Sequence, residues 1–254
     1  MRVGVKMPDN QVQLREQIVR AAQKPFGIAA IRAGNELFGV KQAVSFDFGY
    51  GTLTTFTRDG PKTGRKFLVA PPLAGAFPVL LRDLVIGLLV HADSVAVADW
   101  LDPRFVPPSA GRFGLRENIR NLVDMIRSCG PDVHVVAVCQ AVSPALAATA
   151  LLAANERQSA PRSLTLIGGP IDPAVNPTPV AQALASRPLS WIRDNLIEPA
   201  PPGFPGSARR VYAKERQFRS FLSYLERHLT RQGELFWKLL FDDARTLSDF
   251  RSGR

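Results

Sequence analysis

The stretch Val133-His-Val-Val-Ala-Val-Cys139-Gln-Ala-Val142 decides the fold. Its first six residues are almost continuously apolar and rich in β-branched valine, which predicts a strand buried on both faces, as in a parallel sheet. Helix-forming residues continue from position 142 to position 154, so we expect the strand to run directly into a helix. Cys139 stands at the junction of the two elements.

A cysteine at this junction, with Ala137 and Ala141 two positions to either side, predicts a nucleophile elbow. Such an elbow is a strained turn that presents a reactive side chain and requires small neighbours. The positive end of the helix dipole would stabilise a thiolate there, and the backbone N–H of Gln140 would point at a developing oxyanion. The alternative is an inert buried cysteine, since cysteine packs as a small hydrophobic residue. The pattern alone leaves both interpretations open.

Strands and helices alternate on both sides of this junction. Further strands are predicted at 67–70, 94–98 and 164–167, and helices at 79–89, 117–128 and 142–154. This alternation is typical of βαβ units that build a parallel sheet. We therefore expect an α/β fold with an open, mostly parallel sheet and helices on both faces.

The segment before these units has a different pattern. Short β-rich runs at 37–44 and 53–56 flank a turn-prone stretch at 47–51, which predicts an antiparallel hairpin. Apolar positions at helical spacing predict a surface helix at 11–23.

The segment after Ile171 also changes character. Eight prolines between positions 173 and 205 exclude long regular elements there, and an apolar helical face begins at residue 216. We expect three parts in the chain: a helical segment at 1–24, an α/β core at 25–172, and a cap-like, proline-rich and helical segment at 173–254.

Composition bounds the function. The 254 residues are 46% apolar, enough for one sizeable core. The net charge of +10 would permit an anionic partner, but the basic residues are scattered without a basic arm, so no nucleic acid is expected. The sequence has no secretory signal and no apolar run that predicts a transmembrane segment, which favours the cytoplasm. Zinc spacing, phosphate loops and dinucleotide fingerprints are missing, so neither a metal nor another cofactor is predicted.

Three stretches, at 95–115, 134–153 and 163–180, are similar to the intracellular polyhydroxyalkanoate (polyhydroxybutyrate) depolymerases. Shorter motifs follow in the expected order, among them Pro25-Phe-Gly-Ile28 and Ser186-Arg-Pro-Leu-Ser-Trp191, so the resemblance spans roughly residues 25–240. It implies an α/β-hydrolase fold with a cysteine nucleophile. It also implies an enzyme that hydrolyses 3-hydroxyalkanoate esters and whose partner is the stored polymer or the surface of its granules.

The resemblance assigns roles to individual residues. Cys139 is the nucleophile, and Gln140 supplies one amide of the oxyanion hole. The second amide comes from the loop after the first parallel strand, and Leu73 or Ala74 is the candidate because Pro72 has no N–H to donate.

A cysteine hydrolase also needs a histidine base and an orienting acid, which follow the nucleophile along the chain in this fold. The only later histidine is His228, whose place in an amphipathic helix favours a solvated or capping role. His134 begins the nucleophile strand, about 16 Å from Cys139 by strand rise, and His91 ends a helix. The family carries its acid and histidine on later strands, so we expect a C-terminally truncated chain whose final strands are missing.

Three carboxylates near strand ends are weaker candidates for the acid: Asp99, Asp102 and Asp172, the last within a turn-forming Gly-Pro-Ile-Asp-Pro stretch. Other functions stay open beside the depolymerase. They are a catalytically incomplete homologue, a granule-binding protein, and a polyhydroxyalkanoate synthase-like acyltransferase, which would be expected to have glycines in place of Ala137 and Ala141.

Overall fold

The computed structural model describes residues 26–73, 81–177, 179–207 and 209–212. The strands are Ala30–Ala33 (β1), Glu36–Asp47 (β2), Gly51–Arg58 (β3), Lys66–Ala70 (β4), Ser94–Trp100 (β5), Val133–Val138 (β6), Ser163–Ile167 (β7), Ile197–Pro199 (β8) and Arg210–Tyr212 (β9). The helices are Arg82–His91 (α1), Leu115–Cys129 (α2), Val142–Asn155 (α3), Pro179–Ala185 (α4) and Leu189–Leu196 (α5). The helices predicted at 11–23 and from residue 216, the latter with His228, lie outside the described residues.

Seven of these strands form one sheet in the order β1-β2-β3-β5-β4-β6-β7. The strands β5, β4, β6 and β7 are parallel neighbours, whereas β1, β2 and β3 extend the sheet in antiparallel fashion beyond β5. Each parallel connection crosses over through a helix, as the alternation of strands and helices predicted. The expected open α/β sheet is confirmed.

The sheet is covered on both faces, since the central strands β4, β5 and β6 bury most of their side chains on both sides. Val135 and Val136 are neighbours in β6, yet they belong to two separate core clusters on opposite faces. Residues of α2 and α3, such as Met125 and Ala148, fill one face. Val85 of α1 fills the other. Continuous apolar runs in these strands therefore gave the right prediction of a two-sided core.

The predicted hairpin is confirmed as β2 and β3, with longer strands than the apolar runs indicated. Its turn is closed by a hydrogen bond of 2.7 Å from the Gly49 N–H to the Asp47 carboxylate, with Gly49 at a φ of 80°. The sequence analysis missed β1, a four-residue edge strand that returns on β2 through a tight turn at Gly34. The turn after β2 carries Tyr50 to the carboxyl end of β5, where its carbonyl accepts from Leu101 at 2.8 Å.

Asp93 anchors the connection between β3 and β4 at the amino end of the parallel strands. Its carboxylate accepts hydrogen bonds from the Thr63 N–H at 2.6 Å, the Thr63 hydroxyl at 3.0 Å and the Gly64 N–H at 3.0 Å. Burial raises the pKa of Asp93, but these hydrogen bonds and the nearby Lys62 outweigh it, so the pKa lies below its ordinary value. The carboxylate is therefore more stable in the folded state than in the unfolded chain.

The lowered pKa of Asp93 has a consequence for stability. A carboxylate of this kind stabilises the fold above its unfolded-state pKa of about 3.9, and the contribution is lost as the pH falls through the folded-state value. Asp93→Asn is expected to lower the melting temperature by roughly 2 °C at pH 7, and by less at pH 3. Thermal unfolding at both pH values measures this, and an equal effect at the two would contradict it.

Candidate active site

Cys139 stands in the strained turn that the sequence predicted. It follows β6 directly and begins a single turn of 3-10 helix, Cys139–Ala141, that leads into α3. Its φ is +55°, in the left-handed region that residues other than glycine rarely adopt. The side chain is exposed, while Ala137 and Ala141 are buried beneath it. A strained backbone thus holds an exposed thiol at the carboxyl edge of the sheet, as a nucleophile elbow does.

Gly169, in the loop after β7, lies against the back of this elbow. A Cβ atom at Gly169 would be 2.1 Å from the Cys139 carbonyl oxygen and 2.5 Å from Cγ2 of Val142. The next residue is tied to the same helix, since the Ser143 hydroxyl donates to the Pro170 carbonyl at 2.7 Å. The elbow is therefore supported by the neighbouring strand's exit loop, which only glycine allows to approach this closely.

The two cysteines have different environments. Cys129 ends α2 and packs against the core, and burial raises the pKa of its thiol to about 11, although a hydrogen bond with Ser128 and the charge of Lys66 oppose the rise. This thiol stays protonated at neutral pH and is inert. Cys139 is exposed in its turn. The alternative for Cys139 was an inert buried cysteine; Cys139 is not buried, a part-buried thiol is found at Cys129 instead, and the role of Cys139 stays a prediction.

The predicted oxyanion-hole residues lie on adjacent strands' exit loops. Gln140 follows Cys139 in the 3-10 turn, and Leu73 lies three residues beyond the end of β4. Since β4 pairs with β6 and Ala70 is opposite Ala137, both loops open on the same edge of the sheet. Ala74, the other candidate for the second amide, lies outside the described residues.

Neither described histidine shares an edge of the sheet with Cys139. His134 is the second residue of β6, at its amino end, where Nδ1 lies 2.7 Å from the Ser163 hydroxyl and the ring stacks on Phe67. His91 ends α1, just before β5 begins at the same amino edge. The part of the chain that the structure describes therefore places no imidazole beside Cys139.

The three candidate carboxylates lie in different local structures. Asp102 forms a bidentate ion pair with Arg104, in which the Asp102 Oδ2 accepts from the Arg104 Nη2 at 2.6 Å. Asp172 accepts from the Ala174 N–H at 2.9 Å, which fits the predicted turn. Asp99 lies within β5, opposite Thr52, instead of in the loop where the sequence analysis placed it, because β5 runs on to Trp100.

A cleft of about 700 Å³ opens at the same edge of the sheet as the elbow, and its described lining does not include Cys139. Its floor is apolar and aromatic, with Trp100 and Phe113 in edge-to-face contact and Tyr50 packed on Phe113. Leu73 of the predicted oxyanion loop also lines it, and is 41% exposed. The cleft therefore adjoins the loop that faces Cys139.

The cleft is built from residues far apart in the chain. Arg209 donates to the carbonyls of Val106 and Pro107, each at 2.6 Å, and its guanidinium lies over the ring of Tyr50. The hydroxyl of Tyr50 donates to the Gly111 carbonyl at 2.5 Å. Sequence reasoning missed this arrangement, and its only local signal was the cluster of aromatic residues and arginines in the stretch at 95–115 that carried the resemblance.

The described residues contain no group of three or more histidine, cysteine, aspartate or glutamate side chains arranged to hold a metal ion. They also contain no helix that is long and apolar enough to cross a membrane.

The sheet order, the crossover helices and the strained residue between β6 and α3 define an α/β-hydrolase type of fold. Residues 168–252 match the family model of the polyhydroxybutyrate (PHB) depolymerase C-terminus. The resemblance to this family that the sequence predicted is thereby confirmed, on a match of 85 residues (252 − 168 + 1) in a chain of 254. No curated protein matches the chain in sequence.

Among the solved structures to which the chain is similar are esterases of low sequence identity. The esterase LipW from Mycobacterium marinum is 16% identical with a TM-score of 0.41, and the alignment covers 85% of this chain and 63% of that one. The esterase ESTFA is 12% identical with a TM-score of 0.39, covering 65% and 55%. A hyperthermophilic esterase from the archaeon Pyrobaculum calidifontis is 12% identical with a TM-score of 0.37, covering 67% and 54%. The chain thus spans less than two thirds of each.

Proposed function

We propose that this protein is a carboxylic ester hydrolase that acts on polyhydroxyalkanoate, with Cys139 as its nucleophile. The observation that carries the proposal is the exposed cysteine held at a φ of +55° between β6 and α3. An ordinary packing role would not require a backbone strain of this kind, which typically costs 1 kcal/mol or more. The match of residues 168–252 to the depolymerase family supports the choice of polymer.

The reaction proceeds through a thioester. The Cys139 thiolate attacks the carbonyl carbon of a 3-hydroxyalkanoate ester, and the N–H groups of Gln140 and Leu73 stabilise the resulting oxyanion. Collapse breaks the bond to the alkoxide, which takes a proton from solvent and leaves as a free hydroxyl, while the acyl group stays on sulfur. Water then adds to the thioester and the carbon–sulfur bond breaks, so that a hydroxyacid is released, the thiolate returns and one proton goes back to solvent.

We place the reaction in the cytoplasm, at the surface of storage granules. Exposed apolar side chains around α4 and α5 support contact with a polyester surface, the most exposed being Ile171 at 61%, Val175 at 71% and Leu189 at 83%. Binding to such a surface would bring the carboxyl edge of the sheet towards the polymer, because Ile171 lies just beyond Gly169.

Amorphous polyhydroxybutyrate granules provide the test. Incubation with the purified full chain is expected to release soluble 3-hydroxybutyrate or its short oligomers, measured by liquid chromatography and mass spectrometry. A brief acid quench should trap a hydroxyacyl group on the peptide that contains Cys139. Granules that release no hydroxyacid above a protein-free control would overturn the proposal.

A second candidate function is binding to granules without hydrolysis. It is favoured by the position of both described histidines at the edge of the sheet opposite Cys139. The same incubation separates the two, since co-sedimentation with granules and no release of hydroxyacid is the result expected for a binding protein.

A further inference from the structure

The cleft beside the elbow is positively charged, as an anion-binding site is. Three arginines line it, Arg112, Arg209 and Arg210, and the lining that the structure describes contains no aspartate or glutamate. Apolar and aromatic side chains form the remainder of its walls. A ligand that fits this lining has an apolar body and a negative end.

The three arginines are not equally available to a ligand. Arg209 donates to the Val106 and Pro107 carbonyls, and Arg210 donates to the carbonyls of Arg193 and Ile197. Arg112 is exposed, and no partner for it is found within the described ranges. Among the arginines of the described lining, Arg112 is therefore the one whose guanidinium is free to bind a carboxylate.

The floor of the cleft contains a hydrogen-bond donor without a partner. Trp100 is only 7% exposed, and its indole Nε1 is buried with no acceptor in the part of the chain the structure describes. A buried donor without an acceptor is costly, so the indole gains a hydrogen bond if its ring turns Nε1 towards a ligand carbonyl in the cleft.

Strand register places this floor level with the nucleophile. Val69 of β4 is opposite both Val97 of β5 and Val136 of β6, and Trp100 and Cys139 each lie three residues further along. Since β4 separates the two strands, the lateral distance is two strand spacings, about 10 Å. A chain of a few ester units that lies on Trp100 therefore reaches Cys139.

We propose that this cleft binds the free-acid end of a hydroxyalkanoate chain, with the terminal carboxylate at Arg112 and an ester carbonyl accepting from Trp100 Nε1. The inference rests on the proposed function, in which Cys139 cleaves an ester of the same chain. The acid end belongs to the leaving alcohol, so cleavage frees a short hydroxyacid from the cleft and leaves the remainder of the chain on Cys139. The protein then shortens polyester from its carboxyl end.

The test compares the linear trimer of 3-hydroxybutyrate with its methyl ester, which lacks the negative charge. The full chain is expected to hydrolyse the acid with a kcat/KM about tenfold above that of the methyl ester. Arg112→Gln should reduce this ratio to about one, whereas Arg157→Gln, an exposed arginine at the far end of α3, should keep it. A wild-type ratio near one, or an unchanged ratio in Arg112→Gln, would overturn the inference.

Binding to the hydrolysis-deficient Cys139→Ala variant separates this inference from the proposed function. Calorimetry is expected to detect binding of the trimer acid to this variant. The Kd of the acid should be about tenfold higher when Arg112→Gln is added. Trp100→Phe keeps an aromatic floor but removes the N–H. This variant should weaken the binding of the acid and of the methyl ester by the same factor. Charge-dependent binding without hydrolysis would remove only the proposed function, and hydrolysis without charge-dependent binding would remove only the cleft assignment.

Discussion

Cys139→Ala is expected to lower the rate of polyester hydrolysis by at least about 1,000-fold, because no other group can form the thioester. The exposed position of the side chain means that the loss of one sulfur atom leaves packing and thermal stability nearly unchanged. Release of hydroxyacid from amorphous granules measures the rate, and a thermal unfolding curve checks the fold.

Cys129→Ala is the matched control for this variant. Cys129 is the other cysteine of the chain, and it is part-buried against the core. Its removal should reduce stability slightly and leave the rate per folded molecule unchanged. Alkylation gives a second readout. Since the pKa of Cys129 is about 11, iodoacetamide at pH 7.5 should modify Cys139 and spare Cys129. A Cys139→Ala variant as active as the parent would remove cysteine catalysis from the proposal.

Gly169→Ala is expected to have the second largest effect, although its side chain would be a single methyl group. The added carbon would lie 2.1 Å from the Cys139 carbonyl oxygen, so the elbow or the loop after β7 must move. Overpacking of this kind costs about 1–3 kcal/mol of stability. A displacement of the nucleophile by about 1 Å costs on the order of 100-fold in rate.

Gly87→Ala provides the control for a glycine-to-alanine change. Gly87 lies within α1, and an added Cβ there would meet no atom of the described residues within 4 Å. Alanine should stabilise this helix by about 0.5–1 kcal/mol and leave activity unchanged. Retention of both full activity and the parental melting temperature in Gly169→Ala would contradict the role assigned to this contact.

The sequence predicted the elbow because its determinants are local. Six residues of apolar strand, a small residue on each side of Cys139 and a helix that starts at Val142 are all contained in one short stretch. The predicted bounds of β6, 133 and 138, agree with the structure to the residue. The strand cannot extend further because Asp132 and Cys139, on either side of it, have φ values of 62° and 55°, outside the β region.

The support of the elbow and the cleft beside it could not be predicted in the same way. Gly169 matters because β7 folds next to β6, which brings a residue 30 positions away (169 − 139) against Cys139. The cleft joins Tyr50, Trp100 and Arg209 through tertiary contacts that no periodicity records. The division into segments 1–24, 25–172 and 173–254, and the helix that carries His228, stay predictions.

The hydrogen bonds that Arg209 donates to the carbonyls of Val106 and Pro107 affect the order of folding. They close a loop of about 100 residues, whereas the elbow needs only neighbours along the chain and the adjacent strand exit. Loop-closure entropy delays such long-range contacts. The reactive thiol is therefore expected to be in place before the wall around the cleft is complete. A folding intermediate of this protein would carry its nucleophile without the surroundings that select a substrate.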